Sequence, residues 1–190
     1  MQARILLVLA TLAFASVAFA QDDAFQVRYA SNLNIGDSVI NITNAGTSGG
    51  NICANVYTFS PDEQLISCCS CVVTPNALVS LSANSDLVSN TLTPAHPTSI
   101  VVKLIASTGA CNPSAVAALA PGMRAWGTTL HAAPTSPVTF QVTETAFSQA
   151  GLSAAELARV TSFCGFIQAN GSGFGICKSC RLGGLGAVSQ

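Results

Sequence analysis

The sequence predicts a mainly β protein, an antiparallel β-sandwich with one C-terminal helix and a disulfide-stapled Gly/Cys-rich tail. Three observations carry this reading. Short segments of alternating polarity recur between residues 25 and 145, punctuated by Gly, Pro, Asn and Ser clusters. Only after Gly151 does a stretch combine a helical cap with a helical stripe. Eight cysteines form an even set in a chain that opens with an export signal, which favours bridges over free thiols.

Residues 1–20 are read as that signal, with Arg4 as the positive n-region, residues 5–14 as the apolar h-region and Ala18-Phe19-Ala20 as the cleavage site. The mature chain then begins at Gln21, and residues 21–190 make a single domain: 21–150 the β-sandwich, 151–190 a helix and Cys-rich tail packed on it. After the acidic pair Asp22-Asp23, the residues Phe25, Val27 and Tyr29 alternate with Gln26, Arg28 and Ala30 as in a half-buried strand. Residues 38–43 form the next strand, and NAGTSGGN is a flexible turn.

The central hairpin follows. Ile52, Ala54 and Val56 share one face and Cys53, Asn55, Tyr57 and Phe59 the other, since a strand alternates its side chains. Ser60-Pro61-Asp62-Glu63 turns the chain, because proline presets φ and Ser and Asp bond to nearby backbone. On the return strand Leu65, Ser67, Cys69, Cys71 and Val73 face one way and Cys68 the other, so adjacent Cys68 and Cys69 take different partners. Residues 78–81 and 86–93 are short strand candidates. Residues 98–106, TSIVVKLIA, are apolar enough for a central strand covered on both faces.

Asn112 and Pro113 are placed to cap and open a short helical turn that Pro121 ends. Residues 123–132 and 138–145 return to strand composition, joined by the surface connection APTSP. Ser153 with Glu156 makes a capping box and Leu152 with Leu157 a hydrophobic staple, starting a helix that runs to about Gln168. Leu157, Val160, Cys164 and Ile167 form its buried stripe. NGSGFG breaks it.

Cys53, Cys68, Cys69, Cys71, Cys111, Cys164, Cys177 and Cys180 are the disulfide candidates, and at least one bridge is expected between the 53–71 and 164–180 groups. Their connectivity stays open. The alternative is zinc held by Cys68, Cys71, Cys177 and Cys180, which have the C-x-x-C spacing of a zinc knuckle. The intervening Cys69 and an oxidising compartment argue for bridges instead, and no cofactor is expected.

Charged residues are only 8% of the chain against 49% hydrophobic, and removal of Arg4 leaves six basic against eight acidic side chains. No basic patch exists to hold nucleic acid. No membrane span is expected after signal cleavage. So weakly charged a surface offers little repulsion against association, which favours a secreted structural or cell-surface protein, with itself or other cell-surface components as partners. The strand at residues 25–30 is a candidate for donation to a neighbouring sheet. The alternative is an extracellular ligand- or glycan-binding module, with Trp126 and His131 as a possible ligand surface and Tyr29 and Tyr57 as further stacking residues. A secreted hydrolase is third, because His96 and His131 lack a nucleophile motif and Gly171-Ser172-Gly173 lacks the leading glycine of a nucleophile elbow. The expected location is extracellular or cell-surface, with the periplasm also compatible.

The strings NICANVYTFSPDEQLISCCSC, VTPN, RAWGT and LSAAELARVTSFCGFIQANGSGFGICKSC resemble a family of secreted, cysteine-containing bacterial proteins. The resemblance spans most of the mature chain. It implies a bacterial exported protein with a shared cysteine pattern, and it transfers no activity to any residue.

Overall fold

A computed structural model describes residues 23–94, 96–133 and 136–181, so the proposed signal segment 1–20 and residues 182–190 lie outside the described residues. The strands are β1 (Phe25–Ala30), β2 (Val39–Asn44), β3 (Ile52–Phe59), β4 (Leu65–Val73), β5 (Leu78–Ser82), β6 (Ile100–Ser107), β7 (Met123–Ala133), β8 (Ser136–Ala146), β9 (Ser148–Gln149) and β10 (Gly175–Ile176). The helices are α1 (Ala154–Ala169) and the single turn α2 (Lys178–Arg181). Two sheets result: a six-stranded one ordered β10-β4-β3-β6-β1-β9 and a four-stranded one ordered β5-β2-β7-β8. All pairings are antiparallel except the two-residue contact of β10 with β4. The mainly β sandwich with a C-terminal helix and disulfide-bonded tail is therefore what the chain adopts.

Between the sheets lies the larger core, where Ile40 and Ile42 of β2 meet Ile52, Val56, Leu81 and Leu104. A second cluster lies outside the six-stranded sheet, where Val160, Cys164 and Ile167 of α1 cover Phe25, Tyr57, Cys68 and Ile105. The larger sheet is thus covered on its inner face and on part of its outer face, which is why β6, central between β3 and β1, is apolar nearly throughout. The expected faces of β3 hold, with Ile52, Ala54 and Val56 inward and Tyr57 under the helix. The Tyr57 hydroxyl donates to Pro113 O at 2.7 Å, and burial pushes its phenol above the ordinary range.

Five local expectations are corrected. In β4, a register shift opposite Thr58 and Phe59 turns Leu65 onto the helix side and Ile66 into the sandwich, so Leu65 does not share the face of Cys69. Residues 86–93 are not a strand. A π-helical turn, Ala83–Leu87, takes in the first two of them, because Ser82 accepts from Ser85 N and the buried Asp86 carboxylate accepts from Ser82 N. The stretch after Cys111 is a turn rather than a helix, with Asn112 Oδ1 accepting from Ser114 N at 3.0 Å. The connection between β7 and β8 is also shorter than APTSP, since β8 begins at Ser136.

The fifth correction concerns β1, whose polar side faces the sandwich. Gln26 and Arg28 are buried, whereas Tyr29 on the alternate face is 59% exposed. Backbone carbonyls and threonine hydroxyls converge on these polar groups, and Arg28 Nη1 alone has no partner among the described residues. Gln26 donates to Asp23 O at 3.0 Å and Met123 O at 2.8 Å. Arg28 donates to Gly127 O at 3.0 Å, Thr129 Oγ1 at 2.7 Å and Thr145 Oγ1 at 3.0 Å. No carboxylate pairs with Arg28 among the described residues, and its burial lowers the guanidinium pKa from the ordinary value. Asp23 is also buried and binds Gly122 N and Arg124, which pins the start of β1. The strand proposed for donation lies inside its own sheet, between β6 and β9.

Gly127 makes the Arg28 packing feasible: a Cβ there would stand 2.6 Å from Arg28 Nη1 and 2.7 Å from Cζ. Gly127→Ala is expected to cost about 1–3 kcal/mol by overpacking. Chemical denaturation should show most of that cost disappearing in an Arg28→Ala background. Additive losses in the double variant would refute the contact.

Candidate functional site

Four disulfides set the frame: Cys53–Cys111, Cys68–Cys164, Cys69–Cys177 and Cys71–Cys180. Three start on β4. Because successive strand residues point to opposite faces, Cys68 reaches α1 on the outside while Cys69 and Cys71 reach the tail on the sandwich side. The expected linkage between the two cysteine groups is present three times over. Cys68, Cys71, Cys177 and Cys180 are all consumed in bridges, so the zinc alternative has no thiolate set. Among the described residues no group of His, Cys, Asp and Glu could hold a metal ion.

Hydrogen bonds complete the anchoring of the C-terminal segment. Ser172, buried, donates its hydroxyl to Ile66 O at 2.8 Å, and Asn90 Nδ2 donates to Gly173 O at 2.7 Å. Gly173 has φ +73°, and a Cβ there would come within 2.7 Å of Cys68 O, so no larger residue fits. At α2, Asp86 accepts from Ser179 N at 2.6 Å and Ser179 Oγ at 2.7 Å.

The anchored helix covers only part of the outer sheet face. Cross-strand register aligns Val27, Lys103, Tyr57 and Cys68 in one row, and this row runs up to the Cys68–Cys164 bridge. The next row is Tyr29, Val101, Phe59 and Leu65, and it forms the floor of a cleft of about 1080 Å³. Phe163 and Phe166 of α1 form one wall, and the β3–β4 turn with Pro61, Glu63 and Gln64 forms the other. Tyr29 and Phe166 are each 59% exposed and Phe163 is 44% exposed, an apolar patch of a kind that monomer surfaces seldom leave open without use.

The charges in the cleft balance. Lys103 Nζ lies 2.5 Å from Glu156 Oε1 and 4.9 Å above the Phe59 ring. Glu156 was expected to close a capping box. Ser153 Oγ does accept from Glu156 N at 3.1 Å, but the carboxylate is drawn to Lys103. Arg159 lies 5.4 Å from the Phe163 ring centre, and Glu63 stands across on the turn. Two cations and two carboxylates therefore line one apolar cleft.

No protein-family model, curated protein or solved structure matches the chain. The bacterial resemblance accordingly adds nothing to the site, which rests on its own geometry.

Trp126 and His131 lie on β7 five positions apart, so alternation sends them to opposite faces of the four-stranded sheet. They do not make one surface, and neither lines the cleft. His131 contacts Thr143 Oγ1 at 2.8 Å, and His96 sits in a smaller hollow with Asn34 and Asn84. Among the described residues neither imidazole is paired with a carboxylate. Of the stacking candidates, Tyr29 reaches the cleft and Tyr57 is buried beneath α1. Phe163, Phe166, Lys103, Glu156 and Arg159 escaped sequence reasoning, although two phenylalanines off the buried helix stripe were a readable signal.

The Cys68–Cys164 bridge should therefore hold the cleft wall. A Cys68→Ala/Cys164→Ala variant is expected to lose about 2–4 kcal/mol. Hydrogen exchange should accelerate in α1 and leave β2 and β7 unchanged. Uniform acceleration across both sheets would contradict this assignment.

Proposed function

We propose that the protein is an exported binding module whose outer-sheet cleft takes a neutral glycan chain. Four disulfides favour an oxidising, non-cytoplasmic setting, and no helix among the described residues is long and apolar enough to cross a membrane. The observation that carries the ligand class is the open row of Tyr29, Val101 and Phe59 beside Phe163 and Phe166. A sugar ring has an apolar C–H face that stacks on an aromatic ring, and a rim of hydroxyls that prefers water or polar side chains. A half-open cleft suits that division. An acyl chain would gain more from an enclosed cavity, because this cleft would leave one side of it wet.

Charge and size support the same reading. The balance of Lys103 and Arg159 against Glu63 and Glu156 offers no net attraction to an anion or a cation. Gln64, Ser60 and the two carboxylates supply hydroxyl partners around the apolar floor. The volume lies at or above the top of the range of about 300–1,000 Å³ usual for small-ligand pockets, which fits several sugar units better than one.

Titration with neutral gluco-, xylo- and manno-oligosaccharides, followed by NMR, tests this. Shifts should localise to Tyr29, Phe163 and Phe166, and Tyr29→Ala or Phe166→Ala should weaken binding by about five- to tenfold, the scale of one aromatic contact. Trp126→Ala should have no effect. Binding of a fluorescent fatty acid with no sugar response, or shifts centred on Trp126 or His131, would overturn the proposal.

A further inference from the structure

We infer that the edge of β8 is a self-association surface that pairs antiparallel with β8 of a second copy. Of the outer strands in the two sheets, β9 and β10 are two residues long and β5 is five, whereas β8 runs for eleven residues, Ser136–Ala146. Among the described residues β8 bonds to β7 on one side only, so its other side presents a row of backbone donors and acceptors with no strand beside it. From Phe140 to Ala146 every residue is exposed, including Phe140 at 39% and Val142 at 56%. The opposite sheet reaches this stretch only at its end, where Arg28 donates to Thr145 Oγ1.

Edge strands are normally guarded by lysine, proline, a bulge or short length. The proline of β8, Pro137, and the register shift opposite Ala133 both lie at its start, whereas residues 140–146, FQVTETA, have no lysine and no proline and keep an unbroken register with β7. Their one charge is Glu144. An unpaired strand edge specifies another strand as its occupant, since only a backbone ladder satisfies the whole row at once.

The sequence of β8 fits a second copy of itself in one orientation. With a two-fold axis at Gln141, each Phe140 stands opposite Val142 of the second copy, a favourable aromatic and β-branched pair formed twice. The two Glu144 side chains then lie about 20 Å apart along the ladder. Parallel in-register pairing would instead stack Glu144 beside its own copy, which is destabilising. The antiparallel arrangement joins two four-stranded sheets into one of eight strands. It leaves the proposed glycan cleft free, since that cleft lies on the other sheet.

Sedimentation of the oxidised chain over a range of concentrations tests the inference. A reversible dimer is expected, with amide exchange in residues 140–146 slowing as concentration rises. Val142→Lys changes an exposed side chain, so it should keep the melting temperature while weakening the dimer at least about tenfold, through like charges brought together at the new edge. Phe166→Ala should leave association unchanged. A chain that stays monomeric at about 1 mM, or a dimer that Val142→Lys leaves intact, would overturn the inference.

Discussion

The alternation of side chains along one strand is the constraint on which the rest of the structure depends. In β4 it sends Cys68 outward and Cys69 and Cys71 inward, so one strand grips the C-terminal segment from both sides. The three bridges close sequence separations of 96, 108 and 109 residues. In the chain-entropy picture a single closure of that length stabilises by about 4–5 kcal/mol, although bridges sharing a strand are not additive. The helix they hold contributes its apolar stripe to the second core and its exposed phenylalanines to the cleft. Cleft wall and covalent frame therefore share an origin.

A second consequence concerns polarity inside the sandwich. β1 buries Gln26 and Arg28 toward the opposite sheet, where the Gly127 and Met123 carbonyls and the Thr129 and Thr145 hydroxyls accept from them. A buried cation with neutral acceptors alone is expensive. The arrangement is tolerable because Arg28 makes hydrogen bonds to three groups and because Gly127 offers no side chain to crowd it. The other face of β1 is left with Phe25 and Val27 packed in the cluster under α1 and Tyr29 open to the cleft.

Much of the architecture was legible because its signals are local. The hairpin of β3 and β4, the buried stripe of α1 and the separate fates of Cys68 and Cys69 follow from periods of 2 and 3.6 read within short windows. The misread elements depend on distant partners. Phe25, Val27 and Tyr29 suggested the inward face of β1, but the helix that claims Phe25 arrives more than a hundred residues later in the chain. Asp86 belongs to a π-helical turn because it also caps α2 through Ser179, a contact invisible in residues 86–93 alone. Pairing among the eight cysteines and the alignment of Tyr29 with Val101 and Phe59 are likewise set by register, which composition does not encode.

The two-sided grip of β4 is tested most directly by disulfide mapping of the unreduced protein, with fragmentation between Cys68 and Cys69 to separate their partners. The structure requires Cys68 with Cys164, Cys69 with Cys177 and Cys71 with Cys180. Cys69 bridged to Cys164, or Cys68 to Cys177, would place α1 and the tail on exchanged faces of β4 and contradict the account.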